Sequence, residues 1–160
     1  MQLLFDESEE GPGRGLGVIP GRVRRLRAAR IPQMGWNDVE GEGDALFEGV
    51  APRVVYYANS FVCEPRDGSV VAAWSEYDGD RFAAAVRQGS LTGVQFHPEK
   101  SSLAGRRILR NFLEDAGKRM RFASWRNDAE TRTAFASQSE AAETRTVFAS
   151  RDPSPSESEP

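Results

Sequence analysis

Residues 93–101 read Gly-Val-Gln-Phe-His-Pro-Glu-Lys-Ser and contain the single histidine of the chain, His97. The apolar residues before it favour a β-strand, and Pro98 keeps His97 out of the α-helical backbone region, so the strand is expected to end there. Alternate side chains of an extended chain lie on the same side, which places His97 and Glu99 together. A carboxylate so placed can orient an imidazole, as in a catalytic triad. The alternative is a surface histidine beside a glutamate.

Outward from this motif, short apolar segments alternate with glycine and proline. The strongest strand prediction covers residues 53–62, which are rich in Val, Tyr and Phe. Other expected elements are the end of a helix at 1–8, a half-exposed strand around Val23 and Leu26, one or two helical turns at 44–50, and strands at 70–74, 82–86 and 91–96. Apolar residues at helical spacing after the motif predict a closing helix, which Ser101 or Ser102 can cap and Gly117 can end. Strands followed by a helix indicate an α/β or α+β fold.

The chain is expected to divide near residue 120. Residues 121–160 carry a 13-residue repeat in which Phe122, Phe135 and Phe148 are each followed by Ala-Ser. One aromatic residue per repeat buries too little area to offset the entropy of ordering the chain. We therefore expect one domain over 1–120 and a disordered low-complexity tail over 121–160, with a short partner-binding motif as the alternative for the tail.

Composition excludes several classes of protein. A net charge of −3 and a pI of about 5.3 argue against a nucleic-acid binder. No apolar run approaches the length of a membrane span, and no signal peptide is recognised, so a soluble cytoplasmic protein is expected. One histidine and scattered carboxylates form no recognised metal-ligand pattern.

The His–Glu pair lacks an evident nucleophile. The chain has one cysteine, Cys63, and no glycine-flanked elbow surrounds it. We interpret it as a small, half-buried apolar residue. Ser60 and Ser101 also lack an elbow.

The 93–101 motif resembles the C-terminal catalytic signature of class I glutamine amidotransferases, whose triad is Cys, His and Glu. More specifically, other segments of the chain resemble the glutaminase subunits of imidazole glycerol phosphate synthases. The segments that carry this resemblance are 1–11 (MQLLFDESEEG), 15–21 (GLGVIPG), 32–37 (PQMGWN), 56–61 (YYANSF) and 111–113 (NFL). Such enzymes attack the glutamine amide carbon with a cysteine thiolate and pass ammonia to a (β/α)8-barrel synthase subunit. The resemblance implies a flavodoxin-like α/β fold with a largely parallel sheet and no cofactor or metal.

The resemblance also implies roles for individual residues. His97 would accept the thiol proton and later protonate the departing ammonia, while Glu99 would fix the imidazole. The residues implied to hold the glutamine substrate are Gln2, Ser60 and Phe61. Those implied to face the synthase partner are Trp36, Asn37, Tyr56 and Lys100.

The sequence departs from this family in two respects. Gln33 and Asn59 stand where the resemblance implies histidines, so this chain has no imidazole at either position. In the family a Gly-x-Cys-x-Gly elbow precedes the Met-Gln pair, and this chain begins at that pair. We therefore expect the C-terminal part of the domain, without the N-terminal strands and the nucleophile, and no activity from this chain alone. The alternatives are a non-catalytic module that docks on the synthase and a non-functional fragment.

Overall fold

Eight β-strands and one helix make up the part of the chain that the computed structural model describes, residues 1–41 and 43–119. The strands are β1 (Glu7–Ser8), β2 (Gly21–Arg25), β3 (Gln33–Asp38), β4 (Val54–Asn59), β5 (Phe61–Pro65), β6 (Val71–Tyr77), β7 (Asp80–Gln88) and β8 (Leu91–Val94). The helix, α1, covers residues 102–119. Short 3-10 turns occur at Gln2–Leu4, Ala45–Phe47, Gly68–Val70 and Pro98–Lys100. Within these residues no helix is both long and apolar enough to cross a membrane.

The strands form three small sheets, in the orders β1-β2-β5, β3-β4 and β6-β7-β8. Only β1 and β2 pair in parallel among the described strands, and the other pairs are antiparallel. Two-residue turns join β6 to β7 and β7 to β8, and Asp78, Gly79 and Gly89 in these turns have positive φ angles. Connections this short permit only antiparallel pairing. The described sheets therefore differ from the largely parallel sheet that the family resemblance implies.

The apolar core lies directly beneath the segment that carries His97. Tyr57 of β4 packs edge to face against Phe82 and Phe96, with ring centroids 5.8 and 6.0 Å apart. Ile108 of α1 belongs to the same buried cluster. A second cluster joins Phe5 and other buried residues from β2, β5 and β7. The residue before His97 is thus an anchor in the main core.

Three predicted elements differ in form from the observed ones. The helix expected at 1–8 is wrong: only a 3-10 turn forms, because the carbonyls of Leu3 and Leu4 accept hydrogen bonds from Leu16 and Ile19. The long strand at 53–62 is two strands broken at Ser60, each paired with a different neighbour. The segment at 44–50 contains one 3-10 turn, capped by the Asp44 side chain. The expected strands at 70–74, 82–86 and 91–96 form with shifted ends, as β6, β7 and β8. The tail over 121–160 lies outside the described residues.

A buried ion pair ties β2 to β7. The Arg24 guanidinium donates to both carboxylate oxygens of Asp80, at 2.7 and 2.8 Å, and also to Glu64. Arg24 is only 4% exposed, although the surrounding arginines predict a half-exposed strand. Burial acts to raise the pKa of Asp80, but hydrogen bonds from Arg24 and the Arg27 amide outweigh it and lower that pKa. Asp80 is therefore ionised at neutral pH.

Replacing Asp80 by Asn removes the buried carboxylate that binds the Arg24 guanidinium through two hydrogen bonds, and leaves only the partly exposed Glu64 as its counter-charge. We expect Asp80→Asn to lower the free energy of unfolding by about 3–5 kcal/mol, measured by urea denaturation. The matched control is Glu40→Gln, which removes an exposed pair with Arg81 at 3.8 Å and should change stability by less than about 1 kcal/mol. Equal effects of the two substitutions would contradict the importance of the buried pair.

The lowered pKa of Asp80 predicts how acid affects stability. A carboxyl whose pKa is lower in the folded state stabilises the fold above its unfolded value of about 3.9, and this contribution is lost as pH falls through the folded value. We expect the urea midpoint to fall on acidification below about pH 4, and to fall less in Asp80→Asn. Parallel pH curves for the two proteins would show that other groups carry the acid sensitivity.

Candidate functional site

His97 and Glu99 form a direct contact where β8 gives way to the turn at Pro98–Lys100. The imidazole Nδ1 lies 2.9 Å from Oε1 of Glu99. The Glu99 backbone N–H and the imidazole lower the pKa of the Glu99 carboxyl, so it is an ionised acceptor at neutral pH. Because a carboxylate only accepts hydrogen bonds, Nδ1 carries the hydrogen and Nε2 is left as the base. The contact that the i, i+2 spacing predicts is present.

The backbone of this turn is fastened to β4. The His97 N–H donates to the Tyr56 carbonyl at 2.9 Å. The Ser101 amide donates to the carbonyl of Pro98, and the Gly105 amide donates to that of Ser101, so the turn leads directly into α1. A Cβ at position 105 would overlap the Pro98 carbonyl oxygen, which requires glycine there.

An open cavity of about 670 Å³ lies beside His97. The three residues that the resemblance assigns to the substrate, Gln2, Ser60 and Phe61, line it together with His97. The Gln2 side-chain amide donates to the Phe61 carbonyl at 3.1 Å, so this segment is fixed against the strand break at Ser60. The volume suits a small polar ligand.

Sequence reasoning missed Glu10, which also lines the cavity. It brings an exposed carboxylate to the opening beside Gln2. No local pattern distinguishes it from Glu7 and Glu9, because its position depends on how residues 3–5 fold against 16–19. Glu10, Gln2 and His97 therefore line one space.

Gln33 and Asn59 lie opposite each other in the β3–β4 pair and are both buried. Asn59 donates to the Phe61 carbonyl at 3.1 Å. The Asn59 side-chain oxygen and both polar atoms of the Gln33 side chain contact no hydrogen-bond partner among the described residues. The two positions at which the resemblance implies histidines are thus cross-strand neighbours, and here neither side chain titrates.

The structure brings together three of the four residues that the resemblance assigns to a partner surface. Trp36 packs edge to face on Tyr56, with ring centroids 6.0 Å apart. Lys100 places its ammonium 5.8 Å from the centre of the same Tyr56 ring. We call these three residues the aromatic face; Trp36 is 56% exposed. The Asn37 side chain instead donates to the Glu76 carbonyl of β6, so it does not join them.

Cys63 is not placed to act as a nucleophile. It lies in β5 opposite Val23 of β2, is 1% exposed, and does not line the cavity beside His97. Burial raises the pKa of its thiol to about 12, which opposes thiolate formation at neutral pH. The sequence interpretation of Cys63 as a half-buried apolar residue underestimates its burial, since the side chain is fully buried. In residues 1–41 and 43–119 no three His, Cys, Asp or Glu side chains are grouped to hold a metal ion.

Residues 1–116 match the family model described as "Glutamine amidotransferase class-I". The chain is 47% identical over 118 residues to imidazole glycerol phosphate synthase subunit HisH of Thermotoga maritima, covering 71% of this chain and 54% of that protein. It is 43% identical over 119 residues to the HisH subunit of Chlorobium luteolum, with 71% and 59% covered. The Pyrococcus furiosus HisH subunit is 44% identical over 115 residues, with 70% and 59% covered.

The chain thus spans between 54 and 59% of the length of these three curated relatives. The match includes the His97–Glu99 pair and every residue named at the cavity and the aromatic face. This chain belongs to the class I glutamine amidotransferase family.

Proposed function

We propose that this chain supplies the His–Glu portion of a glutaminase site that releases ammonia for imidazole glycerol phosphate synthesis. The observation that carries the proposal is the 2.9 Å contact between His97 Nδ1 and Glu99, beside a cavity lined by Gln2. In this role Nε2 of His97 accepts the proton of an attacking thiol and later returns it to the departing ammonia. Glu99 holds the ring in the required tautomer.

The cavity offers complementary groups for an amino-acid substrate. The Glu10 carboxylate matches an α-ammonium group in charge, and the Gln2 carboxamide can bind a carboxylate or ammonium group. The backbone at Ser60 and Phe61 adds peptide groups at the same opening. We assign these four residues to the amino-acid end of glutamine, which leaves the side-chain amide to face His97.

The attacking thiol in this proposal comes from outside the 160 residues. Cys63 is the single cysteine of the sequence, and its burial and raised pKa oppose nucleophilic attack. Because the nucleophile forms the covalent intermediate, its loss removes as much rate as the loss of a whole triad. The chain by itself is therefore inactive.

We expect the 160-residue chain to release no ammonia from glutamine above the protein-free rate, with or without the synthase subunit. The measurement is a coupled ammonia assay. Ammonia release that His97→Ala abolishes would contradict this expectation, because it would show a complete site within the chain.

Supplying the thiol should restore activity. We expect glutamine hydrolysis after a segment with the Gly-x-Cys-x-Gly elbow that the resemblance implies is fused to the start of this chain. In the fusion, His97→Ala should reduce kcat by about 10⁴-fold or more, whereas Cys63→Ser should leave it unchanged. An equal loss from Cys63→Ser would overturn the assignment of the nucleophile.

The aromatic face supports a second candidate function, docking on the synthase without catalysis. Exposed aromatic residues backed by a cation are typical anchors of protein interfaces. Trp36 meets this description, since its ring packs on Tyr56 and the Lys100 ammonium lies over the same Tyr56 ring. Docking does not require the nucleophile, so this function is open to the chain as it stands.

Trp36→Ala should weaken binding of this chain to the synthase subunit by about tenfold to thirtyfold, measured by titration calorimetry. The matched control is Leu103→Ala, which removes another exposed apolar side chain, 70% exposed, from α1. Equal affinities of the two variants would place the interface elsewhere. No binding by the unmodified chain would favour the non-functional fragment.

A further inference from the structure

The Ser101 side chain is fully buried, and its hydroxyl joins two segments that are far apart in sequence. It accepts a hydrogen bond from the Tyr56 backbone N–H at 2.9 Å and donates one to the His97 carbonyl at 2.6 Å. The sequence offers Ser101 as a helix cap, but these bonds direct its hydroxyl to β4 and His97. The hydroxyl therefore serves the turn that carries the imidazole.

Three hydrogen bonds close a ring among Tyr56, His97 and Ser101. The His97 N–H donates to the Tyr56 carbonyl, and the His97 carbonyl accepts from Ser101, which in turn accepts from the Tyr56 N–H. Both backbone polar groups of His97 are thus held. Fixing them sets the direction of the Cα–Cβ bond, and with it the position of the imidazole relative to Glu99.

The surroundings leave this hydroxyl little freedom. Ser101 is 0% exposed, and Gly105 approaches so closely that an added Cβ would lie 2.8 Å from that of Ser101. Ser102, the next residue, is exposed and appears in none of these bonds. The chain therefore contains a neighbouring serine that serves as a control.

We propose that Ser101 is a positioning residue for His97: its hydroxyl holds the turn so that Nδ1 stays on Glu99 and Nε2 stays free. The inference rests on the proposed acid–base role of His97, since only that role gives the tautomer a chemical consequence. Ser101 itself touches no reacting atom. It acts on the reaction through the backbone of His97.

The test uses the single histidine as a spectroscopic probe in the 15N-labelled 160-residue chain. At a pH where the ring is neutral, the imidazole 15N shifts report which nitrogen carries the hydrogen. We expect the Nδ1–H tautomer in the unmodified chain and in Ser102→Ala. Ser101→Ala should shift the two nitrogens toward a mixture of tautomers, and Ser101→Thr, which keeps the hydroxyl, should restore the original signal.

Backbone amide exchange gives a second readout, and its first part uses only the unmodified chain. In the unmodified chain the Tyr56 amide should be protected, and Ser101→Ala should make its exchange on the order of tenfold faster. An unprotected Tyr56 amide in the unmodified chain would overturn the proposal. So would a folded Ser101→Ala protein with an unchanged tautomer, or a folded Ser101→Thr protein that has lost it.

Neither readout depends on glutamine turnover. Inactivity of the fusion enzyme would therefore refute the proposed function while the tautomer still reports on Ser101. Conversely, an active fusion in which Ser101→Ala leaves both the tautomer and kcat unchanged would refute the positioning role alone.

Discussion

The start of α1 lies so close to the His97 turn that residue 105 has no room for a side chain. A Cβ there would overlap the carbonyl oxygen of Pro98. This close approach keeps Ser101 away from water and lets the turn lead directly into the helix. Ile108, about one turn further along, packs in the cluster that also contains Phe96. His97 thus lies between two residues of this buried cluster, Phe96 before it and Ile108 after it.

Strand β4 links the cavity, the core and the aromatic face because its side chains alternate. Val55, Tyr57 and Asn59 are buried, while Tyr56 lies on the opposite side with Trp36. The backbone of Tyr56 also holds the His97 turn through its N–H and its carbonyl. A single residue therefore contributes its ring to the aromatic face and its peptide groups to the His97 turn.

Local sequence predicts those parts of the structure that depend on neighbouring residues. The predicted His97–Glu99 contact is present, although Pro98–Lys100 form a 3-10 turn and not the extended chain on which the prediction relied; α1 follows from helical periodicity. Features set by long-range pairing were not predictable. The strand at 53–62 breaks at Ser60 because the two halves pair with β3 and β2, and Arg24 is buried because Asp80, 56 residues away, neutralises it. The position of Glu10 at the cavity also depends on a contact between separate segments, residues 3–5 and 16–19.

The family resemblance assigns roles to residues for which sequence spacing alone gives none. The structure brings some of these residues together and keeps others apart. Gln2, Ser60 and Phe61 meet at one cavity with His97, which is the arrangement expected of residues that share a ligand. Asn37 instead bonds to Glu76 within the fold, so its side chain stabilises the contact between β3 and β6. Neighbouring residues of one strand can therefore serve different purposes, because the pleat turns Trp36 outward and Asn37 inward. A role transferred by resemblance must be checked against the face of the strand on which the side chain lies.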